Sequence, residues 1–172
     1  MHRSLPRLTA ALAVAALTLT TTSADAAPAE EMTTWKIEIT TCYVNQGGTD
    51  GDVKARLFKT FNGVTSEWTY FDKPGYDDFE KGDKATYDIS FPKSWGTPGA
   101  VQFGKDGRDD WCLRDAKLVD PAVPGVDGWH PVQGLFATDN YVWITTGKPY
   151  KETTSGITHS FYQNETKRYH IM

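Results

Sequence analysis

The chain has 172 residues, with 18 basic and 22 acidic side chains and a formal net charge of −4 at pH 7. A balance of that sign gives no general attraction for phosphate backbones, which argues against nucleic acid as a partner. It also means repulsion from anionic lipid unless a cation intervenes. With 39% hydrophobic and 13% aromatic residues, the chain can bury one real core.

The first 26 residues read as a signal peptide. Arg3 and Arg7 form a basic start, residues 8–22 an apolar Ala/Leu-rich run, and Ala24-Asp25-Ala26 an A-x-A cleavage site. The apolar run is about fifteen residues, short of the roughly twenty a membrane span needs, and no later stretch approaches that length. The expectation is an exported, soluble monomer with no transmembrane segment. Removing Arg3, Arg7 and Asp25 with the leader leaves 16 basic against 21 acidic residues, a net charge of −5.

After a linker at 27–34, short β-runs alternate with turn residues and no helix is signalled. In 35–43, Trp35, Ile37 and Ile39 share one face, the period-two spacing of a half-buried strand. NQGGTDG at 45–51 turns the chain, and Val53, Ala55 and Leu57 then alternate with Lys54, Arg56 and Phe58. Phe61-Asn62-Gly63 suits a hairpin turn. Strands over 67–71 and 85–91 flank DKPGYDDFEKGD at 72–83, a loop with five carboxylates (Asp72, Asp77, Asp78, Glu80 and Asp83). Such a cluster is costly unless solvated or holding a cation. A turn-rich connection over 93–99 leads to a strand at 100–103. The strand at 111–119 contains a bulge, because Leu113, Ala116 and Leu118 break period two. Strands at 134–145 and 156–169 close the chain.

Cys42 and Cys112 survive in the mature chain of an exported protein, where one disulfide is the default. Each lies on the strand face opposite its apolar neighbours, compatible with a bridge between adjacent strands. No CxxC pair and no Cys/His cluster supports zinc. His130, His159 and His170 have no nucleophile nearby in sequence, and no G-x-S-x-G, H-E-x-x-H or phosphate-cradling glycine loop occurs. Asn164-Glu165-Thr166 is a sequon with no further sign of use. Many short strands at even spacing imply an antiparallel β-sandwich.

The loop DKPGYDDFEKG, together with GGTDGDV at 47–53, FEKGD at 79–83 and DDWCLRDAKLV at 109–119, resembles the PLAT domain family. The pattern is most similar to the membrane-binding domain of clostridial alpha-toxin. The resemblance implies an eight-stranded antiparallel sandwich of two four-stranded sheets over 35–146, with 147–172 as a C-terminal extension. It implies Ca²⁺ at one end, held first by Asp72, Lys73, Gly75 and Asp78, with Asp77 as an alternative to Asp78. A second site would use Gly48, Asp109 and Asp110, with Asp50 and Asp52 as nearby candidates. Gln46 stands where the toxin pattern has an acid, which weakens that site. The resemblance further implies a non-catalytic module binding a lipid surface or a membrane-associated protein, with Tyr76, Trp95 and Phe71 as the aromatics that dip into the interface. A metal-free protein- or carbohydrate-binding sandwich is the competing reading. A hydrolase built on paired carboxylates is the third.

Overall fold

Strand β1 (Met32–Thr41) shows why the chain folds as a sheet. Trp35, Ile37 and Ile39 are buried while Lys36 and Thr34 face solvent, so alternation alone turns one face inward. The same logic builds β2 (Val53–Phe58), β3 (Thr69–Phe71), β4 (Lys84–Pro92), β5 (Ala100–Lys105) and β6 (Trp111–Val119). They are followed by β7 (Trp129–Pro131), β8 (Asn140–Thr145), β9 (Tyr150–Thr154), β10 (Ile157–Gln163) and β11 (Arg168–His170). This computed structural model describes residues 29–133, 140–148, 150–154, 157–163, 165 and 167–172. The expected signal peptide at 1–26, residues 134–139 of the expected strand 134–145, and Asn164 and Thr166 of the sequon lie outside them. Among the described residues there is no α-helix, and the only helical turns are 3₁₀ turns at Lys93–Trp95 and Gly125–Gly128.

The strands form two packed sheets, a β-sandwich as expected, but the strand count differs. One sheet has the order β4-β1-β6-β8-β10-β9 with β7 beside β6, and the other has the order β11-β5-β2-β3. Among the described residues the expected eight strands become eleven, and the two sheets hold seven and four. The surplus comes from the C-terminal residues. β9 and β10 pair as an antiparallel hairpin, and β10 adds to β8 as a parallel neighbour. β11 crosses to the other sheet and pairs with β5, burying Tyr169 with its ring 6.1 Å from that of Phe103. Residues 147–172 thus cap an edge of each sheet. They also supply Glu165, whose carboxylate meets Lys54 at 2.7 Å on the outer face of β2.

The bulge expected in β6 is present. Thr40 pairs with Asp115 but Thr41 pairs with Leu113, so Arg114 is the extra residue and the inward pattern shifts by one. Trp111, Leu113, Ala116 and Leu118 are all buried as a result.

Register also fixes what lies at each end. Lys84 pairs with Thr40, and Pro92 pairs with Met32. Residues 42–52, 72–83 and 106–110 therefore emerge together at the Lys84 end, the loop pole. Trp95 follows Pro92 and lies at the opposite end of nine-residue β4, about 26 Å away at the strand rise. It packs half-buried on Phe91, with ring centroids 6.1 Å apart. Phe71 is 3% exposed and stacks on Tyr87 at 4.9 Å. Neither position suits interfacial contact, so Trp95 and Phe71 leave the expected lipid-binding set. Trp95 follows the strand to the wrong pole, and Phe71 takes the inward register of its strand.

Candidate metal and membrane-docking site

Three fastenings hold the loop pole. First, Cys42 and Cys112 are joined as a disulfide, with Cα atoms 5.4 Å apart, beneath Trp143 and Val44. Around it the Cys42 N–H donates to the Cys112 carbonyl at 2.9 Å, the Cys112 N–H to the Gly47 carbonyl at 2.9 Å, and the Gly82 N–H to the Cys42 carbonyl at 3.0 Å. Second, Phe79 plunges from the acidic loop into the core. It is 3% exposed, stacked on Tyr87 at 5.3 Å and edge-on to Trp111 at 5.4 Å. Its φ of +66° is a left-handed conformation that costs a non-glycine residue about 1–2 kcal/mol. Burial of the ring offsets that strain. Its carbonyl accepts the Thr49 N–H at 3.3 Å, tying two loops together. Third, Gly51 lets the first loop press on the third, since a Cβ there would stand 1.9 Å from the Asp106 carbonyl oxygen. The Asp106 N–H donates in turn to the Asp52 carbonyl at 2.8 Å.

The expected loops lie together, but two of the carboxylates expected to hold metal, Asp78 and Asp109, have protein partners. Asp78 accepts the Lys73 N–H at 2.6 Å on one oxygen and the Tyr87 hydroxyl at 2.7 Å on the other. Burial and the Asp78 carboxylate push the Tyr87 hydroxyl far up. The Lys73 carbonyl accepts the Tyr76 N–H at 3.0 Å, closing the Pro-Gly turn. Gly75, with φ +78°, is exposed at its tip. Asp72 is exposed and lines a shallow groove of about 300 Å³ with Tyr70, Lys73, Thr86 and Asp88.

In the second expected site, Gly48 lies against the backbone of residues 79–81, and Asp110 is half-buried just before β6. Asp109 accepts the Asp50 N–H at 3.2 Å and the Lys105 ammonium at 3.1 Å. Burial pushes its carboxyl up, but the Thr49 hydroxyl and the Lys105 ammonium outweigh this and hold it below the usual carboxylate range.

What the fold assembles instead is Asp50, Asp77 and Glu80, whose carboxylate oxygens lie within 4.8 Å of one another. All three are exposed, on two loops joined through Thr49 and Phe79. Three carboxylates open to water form an all-oxygen donor set of the kind Ca²⁺ takes, with water completing six to eight places. Asp50 was among the expected ligands and Asp77 was the alternative to Asp78. Glu80 was visible only as one more acid in the loop, because its approach to Asp50 depends on a contact between loops.

Beside this cluster stand two exposed tyrosines. Tyr76 is 50% exposed, and its hydroxyl is held by Asp83, which raises the phenol above its ordinary value. Tyr43 is 61% exposed, lies against Gly82, and has the Arg114 guanidinium 4.9 Å from its ring centre. Gly82 has φ +81°, a left-handed conformation that favours glycine, and a Cβ there would approach the Tyr43 ring at 2.6 Å. Tyr76 is the expected tip aromatic, whereas Tyr43 was not singled out from the sequence. Its only signal was an aromatic at the exit of β1, the strand leading into the same pole.

Elsewhere, Trp68 is half-buried beneath cations, with Lys54 at 5.2 Å and Arg56 at 4.6 Å from its ring centre. Asp115 is the carboxylate that burial, and then Glu38, push upward, and it does not line the groove beside Asp72.

A two-sheet sandwich with its long loops gathered at one pole defines the class of protein. Residues 35–130 match the PLAT/LH2 domain family, more than half of the chain, and the chain belongs to that family. Solved structures with the same fold include a LOX in complex with arachidonate, at 14% identity and TM-score 0.53, covering 83% of this chain and 17% of that one. The coral 8R-lipoxygenase, described as calcium-activated through a C2-like domain, is similar at 20% identity and TM-score 0.48, covering 58% of this chain and 15% of its own. Alpha toxin from Clostridium absonum is similar at 19% identity and TM-score 0.43, covering 58% and 28%. The chain thus spans between 15% and 28% of each of these proteins. A search of curated proteins returned no match.

Proposed function

We propose that this chain is an exported PLAT domain that docks on anionic lipid surfaces with the help of Ca²⁺ and has no catalysis of its own. The observation that carries the reading is the convergence of Asp50, Asp77 and Glu80 beside exposed Tyr43 and Tyr76 at one pole. A bound calcium ion would supply positive charge there, reversing the local sign and leaving coordination places for headgroup oxygens. The three carboxylates hold that charge in place. The two tyrosines bracket the 82–83 turn and present apolar rings with polar tips, the chemistry suited to the headgroup region. Lys73, whose ammonium lies 5.6 Å from the Tyr76 ring centre, adds a cation for lipid phosphate. Export is supported by the leader pattern and by the compartment in which a disulfide persists.

The test is co-sedimentation of the full chain with vesicles of phosphatidylcholine alone or with phosphatidylserine. We expect retention on the anionic vesicles with Ca²⁺ at about 10⁻⁴–10⁻³ M, the range of extracellular modules, and release by EDTA. The combined Asp50→Asn, Asp77→Asn, Glu80→Gln variant loses both retention and the calcium-induced rise in melting temperature, whereas Asp72→Ala keeps them. Tyr76→Ser, alone or with Tyr43→Ser, weakens retention while the calcium-induced rise is unchanged. Retention that ignores EDTA, or no retention in either condition, overturns the reading. The latter result would point to a protein partner.

A further inference from the structure

We infer that the ammonium of Lys105 is the resident cation of the 106–110 loop, occupying by a covalent tether the position that the family resemblance assigns to a second calcium ion. The inference shares a pole with the calcium reading but does not require calcium to bind anywhere. It rests first on register. Val53 pairs with Lys105, Ala55 with Phe103 and Leu57 with Val101, so Lys105 continues the inward face of β5 into the loop pole. Its side chain is 0% exposed. A buried ammonium is tolerated only where acceptors surround it. Here the Asp109 carbonyl accepts it at 2.5 Å and the Asp109 carboxylate at 3.1 Å.

The second support is the state of Asp109. Its other oxygen accepts the Asp50 N–H, and the Thr49 hydroxyl also donates to it. A carboxylate serving a hard divalent ion needs its lone pairs for the metal, and these three donors already occupy most of the roughly four it has. A divalent ion drawn to the same oxygens would also lie close to a fixed positive charge, and at such separations in a partly buried site like charges repel strongly. Asp109, the carboxylate that the resemblance proposes for the second site, therefore does not fit calcium in this chain. The loop is ordered around its own lysine.

Amide hydrogen exchange decides the matter, with the Asp50 and Asp106 N–H groups as reporters, because the first is held by the Asp109 carboxylate and the second, next to Lys105 in the chain, by the Asp52 carbonyl. In the full chain we expect both to be equally protected in EDTA and in calcium. Lys105→Met should reduce their protection in EDTA by about tenfold or more. Protection that appears only with calcium, or that survives Lys105→Met unchanged, overturns the inference. Should Lys105→Met fail to fold, calorimetric titration of Asp109→Asn with Ca²⁺ substitutes. An isotherm matching that of the unaltered chain supports the tethered cation, and the loss of a binding step shows that Asp109 is a ligand. If the unaltered chain takes up no calcium at all, the docking mechanism fails, while protection in EDTA still decides the role of Lys105.

Discussion

Replacing Phe79 with alanine lowers stability by about 3–5 kcal/mol, the range for truncating a buried phenylalanine. The ring fills the space between Tyr87 and Trp111, and every other residue of the 72–83 loop is half-buried or exposed. Phe79 also sits at φ +66°, which gives the prediction a sharper form. Glycine relieves the left-handed strain that alanine retains, so Phe79→Gly is less damaging than Phe79→Ala by about 1 kcal/mol. That order reverses the usual penalty of glycine. Urea denaturation of both variants checks it, and a loss below about 1 kcal/mol for alanine would mean that the ring is not an anchor. Both variants should also lose the calcium-induced rise in melting temperature, because Asp77 and Glu80 flank the anchor and separate from Asp50 when it is gone.

The disulfide carries the second large effect. Cys42 and Cys112 are 70 residues apart, and on the chain-entropy model closing a loop of that length contributes roughly 4 kcal/mol. The Cys42→Ala, Cys112→Ala variant should therefore melt far below the parent. Both sulfurs are fully buried under Trp143, so mild reductant should act on the folded chain only slowly. The damage should centre on the loop pole, since the bridge lies where the 43–52 loop leaves β1 and the 106–110 loop enters β6. Titration of the unfolded, unreduced chain should find no free thiol, and two thiols per chain would rule the bridge out. An equal melting temperature for the alanine variant would show that the hydrogen bonds around the bridge suffice without it.

Much of the fold was legible because it depends on local alternation. Trp35, Ile37 and Ile39 in β1, and Tyr87, Ile89 and Phe91 in β4, declared their inward faces at period two, and the broken period at Leu113 and Ala116 declared the bulge. The outward placement of both cysteines announced the bridge in the same way. The order of the turn motifs pointed to the PLAT family and, through that resemblance, to Gly48, Asp78 and Asp109 at one end.

By itself, then, the sequence determined which residues face inward and where the strands run, because each follows from neighbours a few positions apart, and its turn motifs carried the family resemblance that implies loops gathered at one pole. Only the tertiary structure decided which carboxylates are available. Asp78 is taken by Tyr87, Asp109 by Lys105, and Glu80 is carried to Asp50 by the burial of Phe79. The same holds for Trp95, which the length of β4 sends to the far end, and for the C-terminal residues, which cap an edge of each sheet. The physical reason is that a carboxylate's chemistry depends on the donors around it, and those donors come from strands far away in the chain.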